Sequence, residues 1–371
     1  MPPEKVNKLS SFKRATNWYA RYERPISSVS LVAGFVFDAL TLRRVDMLWE
    51  NVWVASHFLL VMVCVILISR QENNALDADD PARLHFWLLS TLQFTFGGLL
   101  STFIVFYFRS ATLSVSWPFL LILLVAFLGN ERLKRHYARL SFQISFFFLC
   151  FFAFAIFIVP VIFHRIGPLI FIASGLASLI ILWVFLKALK YFALENFLIS
   201  RKVIFFSVPL IFAGMNILYF FNLIPPIPLS LKDSGIYHSL SRNSDGDYVV
   251  EHENASRFSF FNFYEDIHTI PLETVFAYSA IFSPASLNTN IIHEWQKFDE
   301  KAGRWVTASR VNLFVFGGRG GGYRTYSLKN APASGRWRVN VLTLRGEVIG
   351  RMRFNVIGTN EMPALTTSIN Y

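Results

Sequence analysis

The sequence predicts a membrane all-α helical bundle of seven transmembrane helices followed by an all-β, Ig-like sandwich. Three observations carry that prediction. Apolar runs of spanning length crowd the first 225 residues, which hold 30 of the 40 Phe residues. After Leu223-Ile224-Pro225-Pro226 no run reaches that length, and short alternating segments begin. The composition agrees: 54% hydrophobic and only 16% charged over 371 residues belongs to polytopic membrane proteins rather than soluble ones.

Seven runs approach the roughly 20 residues needed to cross a bilayer. They are Ile26 to Leu42, Leu48 to Ser69, Leu84 to Phe108, Ala111 to Gly129, Ser141 to Phe163, Gly167 to Leu189 and Val203 to Ile224. The first contains Asp38, and a central Asp costs about 3 kcal/mol against roughly 0.5 gained per Leu, Ile, Phe or Val. Basic residues decide whether it spans. With seven spans and the N-terminus inside, Lys and Arg divide 16 inside to 4 outside; without the first span they divide 10 to 10. The positive-inside rule therefore favours seven spans, a cytoplasmic N-terminus and a C-terminal domain on the outer face.

The formal charge of +11 sits where topology signals sit: residues 1 to 225 carry 20 Lys and Arg against 11 Asp and Glu, and the remainder 15 against 13. No nucleic-acid face is expected from that distribution. Cys64 and Cys150 both lie in apolar runs, so the C-terminal domain is expected to hold by packing alone. Six basic residues precede Ile26 with no small-residue cleavage site, which argues against a removable signal peptide. The chain thus divides into a basic cytoplasmic segment 1–25, a seven-span domain 26–225, a linker with a hairpin 226–272, a β-sandwich 273–358 and a tail 359–371.

Within the spans, Asp38, Glu50, His57, Gln93 and Asn216 are polar and costly unless paired. Glu50 and His57 are seven apart and share a helix face, so with Asp38 they could line a polar cleft. The competing expectation places Asp38 and Glu50 near the outer interface beside Arg43 and Arg44 as structural pairs. Pro118, Pro160 and Pro209 suit kinks, and Gly97-Gly98 suits a close helix contact.

In the polar half, Asp245-Gly246 reads as a hairpin turn before a strand at Tyr248 to Glu251. The run Phe258 to Tyr264 reads as core packing, an edge strand or an interfacial segment. Further strands are expected at Thr274 to Phe282, Ile291 to Phe298, Trp305 to Phe316, Tyr323 to Leu328, Trp337 to Leu344 and Glu347 to Ile357. The last two form a hairpin about a two-residue loop, Arg345-Gly346, opposing Leu344 to Glu347, Val339 to Met352 and Trp337 to Phe354. That register gathers Arg336, Arg338, Arg351 and Arg353 on one face, with Arg338 across from Arg353. Facing like charges are unfavourable, so something anionic should cover them. The cover is either an acid on the neighbouring strand, such as Glu294 or Asp299, or an external anionic envelope component or protein face.

Gly317 to Gly322 lacks the Lys-Ser/Thr and following helix of a phosphate cradle and reads as a mobile hairpin tip. His252, His268 and His293-Glu294-Trp295 do not have metal-ligand spacing, so neither metal nor cofactor is expected. Asn254-Ala255-Ser256 is a formal glycosylation triplet.

Four segments in order, Ile292-His293-Glu294-Trp295, Tyr323-Arg324-Thr325-Tyr326-Ser327, Gly335-Arg336-Trp337-Arg338-Val339 and Gly346-Glu347-Val348-Ile349-Gly350, resemble the bacterial domain-of-unknown-function family numbered 2914. The resemblance covers roughly residues 275 to 357, and the spans look like the multi-span region preceding such domains in some Gram-negative proteins. It carries over no catalytic residues. It draws attention to His293, Trp295 and Arg324 as a core pairing or a shared binding site, and the Gly run before Tyr323 looks expanded against its pattern. The family is uncharacterised, and the role expected comes from the architecture: a bacterial inner-membrane protein whose periplasmic domain serves envelope binding, sensing or scaffolding, with bilayer lipid around the spans. The alternative is a transporter or enzyme working in a polar cleft near Asp38, Glu50 and His57.

Overall fold

The computed structural model describes residues 32–42, 46–73, 81–110, 113–132, 137–244, 247–253, 264–284 and 287–370. Arg43, Arg44, Asp245-Gly246, the glycosylation triplet and Phe258 to Phe263 lie outside these, as do the basic N-terminal segment and the start of the first run.

Seven helices of ten or more residues occur among the described residues. They are α1 (Val32–Thr41), α2 (Leu48–Glu72), α3 (Pro81–Ser110), α4 (Leu113–Arg132), α5 (Leu140–Phe163), α6 (Pro168–Phe192) and α7 (Leu194–Phe220). Five of them, α2, α3, α5, α6 and α7, are long and apolar enough to cross a membrane. Sequences this rich in Phe, Leu and Ile form helices because, away from water, only a helix satisfies every backbone N–H and C=O within one segment. Pro118, Pro160 and Pro209 do lie inside α4, α5 and α7.

The chain folds as two compact units, one from Met1–Val105, Leu121–Ala153 and Ser178–Ile211, the other from Phe106–Leu120, Phe154–Ala177 and Phe212–Tyr371. In the first, Phe58 meets Phe151 at 4.9 Å and Phe147 meets Phe185 at 5.0 Å between ring centres. Polar side chains tie helices together in pairs. Ser145 and Ser207 share a hydrogen bond at 2.6 Å, Asn196 Nδ2 donates to Glu72 Oε2 at 2.7 Å, and Gln93 and Asn130 exchange side-chain donors with backbone oxygens at 3.3 and 3.1 Å.

The second unit holds the β region. Its strands are β1 (Ser230–Tyr237), β2 (Ser239–Arg242), β3 (Tyr248–Glu253), β4 (Glu265–Thr269), β5 (Thr274–Phe282), β6 (Thr289–Asp299), β7 (Arg304–Val315), β8 (Tyr323–Asn330), β9 (Gly335–Thr343), β10 (Val348–Gly358) and β11 (Leu365–Asn370). They build a β1-β5-β8 sheet, a five-stranded β4-β10-β9-β6-β7 sheet and a β11-β3-β2 sheet. The first two enclose one core, in which Trp295, Trp337, Val339 and Phe354 from the larger sheet meet Ile236, Val275, Ala277 and Ile281 from the smaller. The stretch read as linker therefore contains β1, and the tail contains β11, paired with β3. One pair, β4 with β10, is parallel.

The β9–β10 register matches expectation along its outer part, with Met352 opposite Val339, Arg353 opposite Arg338 and Phe354 opposite Trp337. Its loop does not. Thr343 N–H donates to Glu347 O at 2.9 Å and Gly346 N–H to Thr343 O at 2.9 Å, which makes Leu344-Arg345-Gly346 a three-residue loop. Gly346 takes φ 85°, the left-handed conformation that such loops need. A bulge absorbs the extra residue, since Val348 faces Leu342 while Gly350 faces Val341.

Phe354 is fully buried and stands edge-on to Trp295 at 6.1 Å. Replacing it with Ala is expected to destabilise the β region by about 3–5 kcal/mol. Denaturant unfolding of the full chain in detergent, followed by tryptophan fluorescence, measures this, and a loss below about 1 kcal/mol would contradict the packing described.

Candidate functional site

The outer face of the five-stranded sheet carries the four arginines. Register places Arg338 against Arg353, Arg336 against Asn355 and Arg351 against Asn340, while on β6 Gln296 lies beside Arg338 and Glu294 beside Asn340. The four side chains meet different neighbours. Arg336 donates to both oxygens of Glu300 at 3.0–3.1 Å and lies over the Phe298 ring at 4.1 Å. Arg338 Nε donates to Gln296 Oε1 at 2.7 Å, with its guanidinium 4.3 Å from the Trp305 ring centre. Arg351 Nε donates to Asn340 Oδ1 at 2.6 Å.

Of the two acids expected from the sequence, Glu294 lies beside this group and its charge acts on Arg338 and Arg351, while Asp299 does not face it. The Glu294 carboxylate accepts Arg310 Nε and Nη2 at 2.9 and 2.7 Å, along with Thr307 and Asn340. Asp299 instead accepts the backbone N–H groups of Lys301 and Ala302 in the β6–β7 turn. Burial works against the charge of Glu294, yet its hydrogen bonds from Arg310 and Asn340 outweigh it and hold the carboxyl below its ordinary range. Burial, then the neighbouring Arg338 and Arg353 charges, pull Arg351 down to about 10, and burial with Arg353 lowers Arg338. Positive charge is crowded here, and it is felt electrostatically.

His293 and Trp295 do not belong to that surface. Both are fully buried, and with Ser279, Thr325 and Ser327 they form a polar seam between the two core sheets. His293 Nε2 meets Ser279 Oγ at 2.9 Å and Nδ1 meets Ser327 Oγ at 2.9 Å, while Trp295 Nε1 donates to Ser327 Oγ at 3.0 Å. Arg324 alternates with Thr325 on β8 and so faces the other way, where it pairs with Asp247 at 3.0 Å. The shared binding site considered for His293, Trp295 and Arg324 is thus not assembled: the first two are core and the third is apart.

A cluster that sequence spacing did not reveal joins elements of all three sheets. His238 Nδ1 meets Glu273 Oε1 at 2.5 Å and its Nε2 meets Glu253 Oε1 at 3.0 Å; His268 Nδ1 meets Glu253 Oε2 at 2.7 Å. His238 thus bridges two carboxylates, one on each ring nitrogen. Burial opposes ionisation of Glu253, but the His268 backbone N–H, the His268 ring and His238 together hold its carboxyl below the usual range. His268 is partly exposed and lines an open cavity of about 740 Å³ with Glu253 and Glu361. Among the described residues, no group of three or more His, Cys, Asp and Glu is arranged to hold a metal ion.

In the first unit, Asp38 and Glu50 are each 6% exposed. Asp38 faces Ser101 and His57. His57 Nδ1 lies 2.9 Å from Trp53 O, and its ring packs on α3, where a Cβ at Gly98 would come within 3.1 Å of Nε2. The close contact expected at Gly97-Gly98 is therefore made on the His57 ring. The structure brings Asp38 and His57 together, while Glu50 occupies the first turn of α2 with one carboxylate oxygen lacking a hydrogen-bond partner among the described residues. Asn216 Nδ2 is spent within α7, on Phe212 O at 2.8 Å.

Residues 288–356 match the model of one protein family, described as "Protein of unknown function (DUF2914)". The C-terminal region is a DUF2914-like domain. The match runs from β6 to β10 and includes His293, Trp295, Thr325, Ser327 and all four arginines of the sheet face. No curated protein matches the chain. Among solved structures, a β-glucosidase from Listeria innocua in complex with isofagomine aligns at 12% identity and TM-score 0.21, covering 36% of this chain and 16% of that one. The Pseudomonas fluorescens alkylpurine DNA glycosylase AlkC bound to DNA containing an abasic site analog aligns at 12% identity and TM-score 0.21, covering 76% of this chain and 82% of that one.

Burial sets His293 at about 4 against an ordinary 6.5. Between these values the unfolded DUF2914 region takes up a proton that the folded one refuses, so this contribution to stability is complete above pH 6.5 and lost as pH falls toward 4. The loss amounts to roughly 3 kcal/mol. Unfolding curves of the full chain across that window should fall less steeply for His293→Gln than for the native chain; equal slopes would show that His293 is not buried neutral.

Proposed function

We propose that this chain is a seven-span bacterial inner-membrane protein that displays its DUF2914-like domain, an Ig-like sandwich, on the periplasmic side to bind or scaffold an anionic component of the cell envelope. Five long apolar helices and the 16 to 4 division of basic residues support the membrane part and the orientation. In this reading α1 is the end of the first span, and α4, 20 residues long, covers about 30 Å. The surface that meets the partner is the arginine face.

One observation carries that assignment. Arg338 and Arg353 face each other on adjacent strands with Arg351 beside them, and the two nearest carboxylates, Glu294 and Asp266, are shared with Arg310 and Asn355. Arg338 also has an aromatic plane beneath it in Trp305, which fixes the guanidinium while leaving its edge for an acceptor. An oxyanion seated between these strands relieves the repulsion that the fold imposes. The amides of Gln296 and Asn340 are already turned to Glu294 and that of Asn355 to Asp266, so the guanidinium groups are what an anion would meet.

Binding should therefore be electrostatic. Full-length protein in neutral-lipid nanodiscs is expected to bind an anionic polysaccharide or anionic vesicles with an affinity that falls as salt rises, and Arg338→Ala with Arg353→Ala should remove most of the binding together with its salt dependence. Affinity indifferent to salt and to both substitutions would refute the assignment. The orientation has its own test. An alkaline phosphatase fused after Tyr371 should be active and a cytoplasm-dependent reporter at the same point silent; the reverse pattern would overturn the seven-span topology.

A further inference from the structure

Strand register arranges the ends of the β region in one row. Ser230, which opens β1 directly after the Pro225-Pro226-Ile227-Pro228 segment leaving α7, pairs with Phe282. Ile281 pairs with Tyr323, Thr289 with Val315, and Ile291 with both Leu313 and Thr343. The start of β1, the end of β5, the β7–β8 loop and the β9–β10 turn therefore lie together at the end of the sheets where the chain arrives from the last helix. The turn rests on that helix: the Arg345 guanidinium lies 4.5 Å from the Tyr219 ring centre and 5.7 Å from that of Phe220, with Glu347 3.3 Å away.

This row presents apolar side chains to the outside. Phe314, Phe316 and Leu344 are 46%, 49% and 62% exposed, at positions where a polar residue would cost nothing. Phe316 packs on Phe314 at 4.6 Å and on Tyr323 at 5.3 Å, and cations attend the rings, Arg319 at 5.3 Å from Tyr323 and Lys232 at 5.2 Å from Phe282. The loop holding these rings is not a free tip, as its glycines suggested. At Gly317 a Cβ would lie 2.0 Å from Pro284 O, and at Gly322 2.9 Å from the Ala280 carbonyl carbon, so the loop backbone is seated against the segment after β5 and against β5 itself. The rings stand on a fixed base.

Aromatic rings mixed with Lys and Arg at the end of an apolar helix are the composition of the bilayer interface, where rings enter the headgroup boundary and cations meet phosphates. We propose that this rim, centred on Phe314, Phe316, Arg319 and Leu344, is immersed in the headgroup layer of the bilayer that α7 crosses. The DUF2914-like domain then lies against the membrane surface, held by lipid at the loop and by Arg345 at the turn. This rests on the membrane reading above and is independent of the arginine face.

Single cysteines carrying an environment-sensitive fluorophore test it, introduced by Phe316→Cys, Lys301→Cys and Phe205→Cys into the full chain with Cys64→Ala and Cys150→Ala, in nanodiscs with lipids spin-labelled at the headgroup or deep in the acyl chain. Phe205 is an exposed position within α7, and Lys301 lies in the β6–β7 turn at the far end of the sheet. The label at 316 should be quenched severalfold more than that at 301 by headgroup spin labels, and the label at 205 by deep ones. Quenching at 205 with none at 316 overturns the rim while leaving the membrane reading intact. A label at 316 that is blue-shifted yet unquenched means a protein covers the rim, which also overturns it. Absence of quenching at 205 sinks the membrane reading and the rim with it.

Discussion

One buried line of polar side chains, anchored by Trp295, ties the two core sheets together. The indole N–H of Trp295 donates to Ser327 Oγ at 3.0 Å, and the same oxygen lies 2.9 Å from His293 Nδ1. The other ring nitrogen of His293 lies 2.9 Å from Ser279 Oγ, whose hydroxyl reaches Thr325 at 3.0 Å. Both ring nitrogens thus have hydroxyl partners in a buried setting, in agreement with the downward pull of burial on His293. Buried polar groups left half satisfied are costly, so only one placement of the β5-β8 pair over β6 serves all five side chains. Two otherwise greasy sheets are thereby given a single register.

The same seam explains the family signature in physical terms. Thr325 and Ser327 are the inward residues of their segment, and His293 and Trp295 are the inward residues of theirs. The Gly346-Glu347 signature does a different job. Thr343 Oγ1 donates to Glu347 Oε2 at 2.9 Å and accepts Glu347 N–H at 3.2 Å, which locks the three-residue turn. Burial raises the Glu347 carboxyl above its ordinary range, with the Thr343 hydrogen bond and the Arg345 charge working against that rise. These residues build the domain. The arginine face is made by residues that alternate with them.

Legibility followed the range of the forces involved. Short apolar and alternating runs gave β5 to the residue and β6 to β10 within one or two; β10 alternates in burial, while β5 from Ala277 and β9 from Val339 are buried without a break. β1 was hidden, since Ser230-Leu231-Lys232-Asp233-Ser234-Gly235 has little strand propensity and owes its conformation to pairing with β5. The turn was misjudged by one residue because Leu344 looked like strand; it is 62% exposed and forms the loop. The His238 cluster was invisible for another reason. Its four members come from the β1–β2 junction, β3, β4 and the residue before β5, and only sheet assembly brings them within hydrogen-bond reach.

The arginine face shows how far identical letters diverge once neighbours are known. Read from sequence, four arginines formed one patch awaiting one anion. In the structure Arg336 is drawn to Glu300 at its rim and Arg338 is braced on Trp305. Arg351 is turned toward Asn340, where burial and two like charges weaken its hold on its proton. Glu294 accepts Arg310 of β7 on one oxygen and Asn340 and Gln296 on the other, so it sits between β7 and the arginine ridge, while Asp266 of β4 accepts Asn355. The Glu294 charge is felt by Arg338 and Arg351 as well as by Arg310. The arginines still outnumber these two carboxylates along the β9–β10 ridge, with Arg338 and Arg353 facing each other and Arg351 two residues away. Successive same-face positions on a strand lie about 7 Å apart, so a single small anion spans one step of that ridge and a repeating polyanion spans all of it.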